Sequence, residues 1–153
     1  DGKIVFNEER VELRFEEMPP PTFDSLPMDL YLSPYPILPV LQSRGCYWGK
    51  CTFCTHSFIY GHRYGKQRTE QMVNELESLG KKYKTKYFTF SDEAVSPHSL
   101  NDVSEEIIKR DVDIKSLALL KFEKVMDQEL FKKMKAAGIR GLVEIARCVE
   151  IEV

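Results

Sequence analysis

The sequence predicts an α/β fold built on parallel strands, and three observations carry that expectation. Short runs rich in β-branched and aromatic residues alternate with helix-period stretches from residue 37 onward. The helical stretches bring their own start and stop residues. A length of 153 residues with 42% hydrophobic content suits one domain with a real core. Strand alternating with helix in this rhythm implies βαβ units, a parallel sheet and right-handed crossovers.

Two regions are expected, residues 1–36 and 37–153. In the first, Ile4-Val5-Phe6 and the alternating Val11, Leu13 and Phe15 flank the polar turn Asn7-Glu8-Glu9-Arg10, the pattern of a small hairpin. A proline-rich stretch follows, including Pro19-Pro20-Pro21. Prolines at 27, 34, 36 and 39 disfavour helix and central strand, so the stretch reads as extended chain wrapping the domain.

The second region opens with a strand from Ile37 to Gln42, placed at a sheet edge by Pro39. A helix over 69–83 has Thr69 as its candidate N-cap and Met72, Val73, Leu76, Leu79 and Tyr83 on one face. Tyr87 to Phe90 is the second strand. Ser96-Pro97 starts a helix, a cap followed by proline at the first helical position, with Leu100, Val103, Ile107 and Ile108 as its buried stripe. Ile114 to Leu120 is the third strand. Asp127 caps a third helix through Leu130, Phe131, Met134 and Ala137, which Gly138 ends, and Gly141 to Ile145 supplies a fourth strand.

Lys plus Arg total 22 against 24 Asp plus Glu, and the formal charge of −2 offers no global attraction for nucleic acid or an anionic membrane. Lys81, Lys82 and Lys84 read as a solvated helix end whose cations match the C-terminal dipole. No stretch approaches the roughly eighteen consecutive apolar residues of a membrane span, and the N-terminus lacks a basic-then-apolar signal pattern. The expected compartment is the cytoplasm.

Three of the four cysteines crowd into one short loop, Ser43-Arg44-Gly45-Cys46-Tyr47-Trp48-Gly49-Lys50-Cys51-Thr52-Phe53-Cys54. Such spacing without a secretory signal points to soft-metal or cluster ligation rather than a disulfide scaffold. Glycines at 45 and 49 suit a backbone folding around a bound group. In parallel sheets functional groups gather at the carboxyl ends of strands. That rule brings the cysteine loop, Ser91-Asp92-Glu93 and Lys121-Phe122-Glu123 to one mouth. The connection from the first strand to the first long helix is also far longer than usual, which fits a loop with a functional role.

Two metal readings stand on the cysteines alone. One is a [4Fe–4S] cluster on Cys46, Cys51 and Cys54. The other is a zinc site on the same three, completed by His56, His62 or Cys148, in a zinc-binding α/β module. A third reading is an inactive α/β remnant, with Cys148 a small buried apolar residue. Tyr47 and Trp48 read as packing that roofs the loop.

The run from Ser43 to Cys54, the aromatic strand ending in Asp92-Glu93 and the pair Phe122-Glu123 resemble the radical S-adenosylmethionine (radical SAM) superfamily over roughly residues 20–142. The likeness is to the barrel portion of cobalamin-binding-type (B12-binding domain-containing) members, although the first cysteine gap holds four residues where the usual signature has three. It implies a partial (β/α) barrel of the radical SAM type after the hairpin and proline-rich segment. It implies a [4Fe–4S] cluster on Cys46, Cys51 and Cys54, whose open iron holds SAM and cleaves it reductively to a 5′-deoxyadenosyl radical. By the same resemblance Phe53 lies beside the adenine, Ser91, Asp92 and Glu93 grip the amino group, and Lys121 meets the carboxylate. An electron donor such as flavodoxin or ferredoxin, a small-molecule substrate of unknown identity and cobalamin held by a domain absent from this chain complete that expectation. No side chain is assigned as the catalytic acid or base. Four strands do not close a barrel, so the chain is expected to be truncated and incomplete for catalysis on its own.

Overall fold

A computed structural model describes residues 2–5, 14–59 and 63–144. The fold is α/β: a parallel four-stranded sheet with three long helices packed on it. The strands are β1 (Ile37–Val40), β4 (Tyr87–Phe90), β5 (Lys115–Leu120) and β6 (Ile139–Glu144), in the spatial order β1-β4-β5-β6. All three pairings are parallel, with Ile37 opposite Tyr87, Tyr87 opposite Lys115 and Leu117 opposite Gly141. A two-residue antiparallel ribbon joins β2 (Ser43–Arg44) to β3 (Gly65–Lys66). The helices are α2 (Thr69–Tyr83), α3 (Pro97–Lys109) and α4 (Gln128–Ala136), with a single turn, α1 (His56–Ile59), inside the cysteine-containing connection.

The core follows from the two periodicities. Leu38, Val40, Phe88, Phe90, Ala118 and Leu120 alternate along β1, β4 and β5, and all are buried. Against them pack Met72, Val73, Leu76 and Leu79 of α2, Leu100, Val103 and Ile107 of α3, and Leu130 and Met134 of α4. Each large apolar side chain removed from water contributes about 1.5–3 kcal/mol, so this one cluster holds the helices to the sheet.

The helix starts show which local signals were sufficient. Ser96 accepts from the Ser99 N–H at 3.2 Å with Pro97 just inside, and Asp127 accepts from the Leu130 N–H at 2.9 Å, both as expected. Thr69 is not a cap. It is the first helical residue, and Arg68, extended at φ −67°, occupies the capping position without a side-chain bond. Gly138 follows α4 at φ +86°, and a Cβ there would collide with the Ile114 carbonyl, so only glycine turns the chain into β6. Ile108 is a correction. Ile107 fills the inward position, and its neighbour, one residue round the helix, is 45% exposed.

The first strand ends at Val40, two residues earlier than expected, because the chain bends at Gln42 to begin the ribbon. Pro39 does sit on an edge strand, since β1 has β4 on one side only. The fourth strand starts at Ile139 rather than Gly141; Ile145 and Cys148 lie outside the described residues. So does most of the expected hairpin over 4–15, of which Phe15 stands in a 3-10 turn, Phe15–Glu17, rather than a strand. The proline-rich segment wraps the end of α2. The Phe23 ring meets Tyr83 edge-on at 5.5 Å, the Phe23 N–H donates to the Tyr83 hydroxyl at 2.7 Å, and Lys82 pairs with Asp24 at 2.6 Å. Barrel closure is not part of what the described residues display, and none of their helices is long and apolar enough to cross a membrane.

Candidate functional site

The carboxyl edge of the sheet is built around one buried carboxylate. Asp92, just past β4, is 1% exposed and accepts three hydrogen bonds from the far side of the corner after β1: the Gln42 N–H at 3.1 Å, the Ser43 N–H at 2.5 Å and the Ser43 hydroxyl at 2.6 Å. Burial pushes its pKa up, and those three donors pull the other way. Asp92 thus locks the exit of β1 to the exit of β4. Beneath it Gln67 and Gln42 exchange backbone and amide bonds, and the Gln67 amide also donates to the buried Glu75 at 3.2 Å. Burial raises the Glu75 pKa, partly offset by that amide.

From this anchor the connection 45–59 folds back over the ends of β4 and β5. Gly45, at φ +83°, permits the fold because a Cβ there would strike the Arg63 carbonyl. Three contacts then tie the connection to the strand ends. The Tyr47 hydroxyl donates to Glu123 at 2.6 Å, Lys121 Nζ lies 3.6 Å from the centroid of the Trp48 ring, and His56 Nδ1 approaches Glu93 at 3.8 Å. Lys121 is also 3.6 Å from Glu123, and Lys50 Nζ comes within 5.2 Å of the same Trp48 ring. The Tyr47 phenol is pushed well above its usual pKa, first by burial and then by the Glu123 carboxylate, so it stays a neutral donor.

The expected mouth therefore exists, and its makeup differs in part from the expectation. Glu93, Lys121 and the loop meet there. Asp92 is turned inward as scaffold. Phe53 is on the loop and 68% exposed; Ser91 is exposed and continues the ladder by donating its N–H to the Val40 carbonyl at 2.9 Å. Sequence reasoning brought Glu123 to the mouth without giving it a role there, and read Tyr47 and Trp48 as packing only. Glu123 was signalled by its place after a parallel strand. The two aromatics were hidden because a roofing ring and a site ring look alike in a sequence.

Cys46, Cys51 and Cys54 all lie on this connection. Cys46 and Cys54 are free thiols. Among the described residues no group of three or more His, Cys, Asp or Glu side chains is arranged to hold a metal ion. Neither a [4Fe–4S] cluster nor zinc with His56 is supported, and His62 and Cys148 lie outside the described residues. What the arrangement offers instead is an acidic and aromatic mouth. Glu93 and Glu123 suit a cationic or hydrogen-donating ligand, and the rings suit a cation or a flat heterocycle.

No protein-family profile matches the chain, and no solved structure matches it. It is similar to a protein of Pyrococcus horikoshii named as an uncharacterized methyltransferase, with 31% identity over 126 residues, 80% of this chain. The chain spans 27% of that protein's length. These findings correct the resemblance drawn from the motifs. The relative is named for methyl transfer and not as a radical SAM protein, no profile supports that superfamily, and the iron–sulfur, cobalamin and reductive-cleavage expectations fall with it.

Proposed function

We propose that this chain is the donor-binding part of an S-adenosylmethionine-dependent methyltransferase. The 31% identity to a protein named as a methyltransferase carries the reading, and the chemistry of the mouth supports it. S-adenosylmethionine supplies a methyl group on a sulfonium, together with an ammonium, a carboxylate and a flat adenine. Glu93 is the partner for the ammonium, with the exposed Ser91 beside it in sequence. Phe53 offers a ring face to the adenine. Asp92 serves indirectly, by fixing the corner on which the others stand. The sheet is read as part of a (β/α) barrel, since its helices lie on one face only. A small-molecule acceptor is favoured over nucleic acid by the formal charge of −2. Cytoplasmic placement belongs to the same proposal, because S-adenosylmethionine is a metabolite of that compartment.

Calorimetric titration of the 153-residue chain with S-adenosylmethionine tests the reading. Saturable binding is expected, weakened about tenfold or more in Glu93→Gln, the scale of one lost charged hydrogen bond. Absence of binding by both S-adenosylmethionine and S-adenosylhomocysteine at millimolar concentration sinks it.

A further inference from the structure

Trp48 is the single tryptophan of the chain, and its ring carries a cation at 3.6 Å, Lys121, with a second, Lys50, at 5.2 Å. Its indole Nε1 is buried and finds no hydrogen-bond partner among the described residues. The ring is therefore not positioned by its polar edge. Its face is the part that interacts.

We propose that the Trp48 face is the seat of the donor's sulfonium, and that Lys121 occupies this seat only while the donor is absent. The inference rests on the methyltransferase reading and adds to it the residue that separates the charged donor from its neutral product. A sulfonium has no N–H or O–H to donate, so hydrogen-bond acceptors recognise it poorly. An aromatic face attracts a cation without needing a proton, and indole does so best. Lys121 has somewhere to go. Glu123 lies 3.6 Å from its ammonium and is itself fixed by the Tyr47 hydroxyl at 2.6 Å. Exchanging one cation for another leaves the charge over the ring unchanged, while Lys121 stays paired with Glu123. After methyl transfer the ring faces an uncharged thioether, loses its attraction for it, and takes Lys121 back, which favours product release.

The test compares S-adenosylmethionine with S-adenosylhomocysteine by calorimetry and by Trp48 emission. Expected are a change in emission with the charged ligand and an affinity about fivefold or more above that of the neutral one, the range of a partly desolvated cation–π contact. Trp48→Leu should bring the ratio close to one while leaving homocysteine-ligand binding in place. Trp48→Phe, which keeps a ring, should retain part of the preference and serves if the leucine variant does not fold. Lys121→Met should raise the ratio. Both ligands carry the same carboxylate, so any contact of Lys121 with that group cancels. Equal affinities in the parent chain, or a ratio unmoved by Trp48→Leu, overturn the inference and leave the methyltransferase reading standing. Binding of neither ligand overturns both.

Discussion

The two faces of the parallel sheet differ in how far they are removed from water. On the helix side Leu38, Val40, Phe88, Phe90, Ala118 and Leu120 are almost wholly removed from water. On the opposite side Ile37 remains 48% exposed and Leu117 37% exposed, with the Tyr35 and Tyr87 rings stacked at 4.6 Å and Lys115 over Tyr87 at 5.7 Å. Parallel sheets are ordinarily covered on both faces. The difference teaches that only one of the two faces is a finished core. The buried side chains that hold the sheet lie on the helix side.

Truncations sharpen that contrast first. Leu38→Ala empties a fully buried position in the core and is expected to cost about 2–5 kcal/mol, read as a lower urea midpoint with an unchanged slope. Next comes the corner. Asp92→Ala strands the Gln42 and Ser43 donors and should cost about 1–3 kcal/mol. It should also loosen the mouth, which hydrogen exchange at Gln42 and Ser43 would register as faster than in the parent. Unchanged exchange there would mean that Asp92 is not the lock.

A smaller effect, of opposite sign, is expected at Glu75. Burial holds its pKa in the folded chain above the ordinary 4.5. As pH rises, the unfolded chain gives up this proton first, so the folded state binds more protons and stability falls. The loss sets in near the unfolded value and is complete once pH exceeds the raised folded value. Asp92 contributes with the same sign. Glu75→Gln retains a hydrogen-bonding group beside Gln67 and removes the titration. Its urea midpoint should exceed the parent's at neutral pH and converge with it in acid. A parent midpoint that rises with pH across this window, with no difference in the variant, would show that Glu75 is not held above its usual pKa.

Much of this contrast was legible in the chain itself. Period-two alternation in β1, β4 and β5 and the stripes of α2 to α4 are local patterns, and Ser96 and Asp127 cap where short-range chemistry says they must. Thr69 failed as a cap because the same residue type is acceptable one position later, and only the extended backbone of Arg68 decides between the two. The mouth was legible as a place, since strand order assigns Glu93 and Lys121 to one edge. Its chemistry was not. Whether three nearby cysteines ligate together depends on where each sulfur points after the loop has folded, and the contacts Tyr47–Glu123 and Trp48–Lys121 link residues 76 and 73 positions apart. The Asp92 carboxylate showed the same difficulty. An acidic residue after a parallel strand reads as a ligand group until the Gln42 and Ser43 donors from across the corner are seen to occupy it.

The smallest expected effect is the one that most directly probes the open face. Leu117→Ala removes a side chain that is partly exposed in the folded chain, so less apolar surface returns to water than at Leu38. Its Cβ stays in place, and that atom faces Gly141 across the β5–β6 pairing so closely that a Cβ added at Gly141 would lie 2.7 Å from it. The close approach of the two strands therefore survives the substitution. A change within about 1 kcal/mol is expected in urea melts, the usual range away from packed positions. A cost matching that of Leu38→Ala would mean that something covers this face in solution. The melt should then depend on protein concentration if the cover is a second copy of the chain. With neither a large cost nor a concentration dependence, the sheet is stabilised from one side alone.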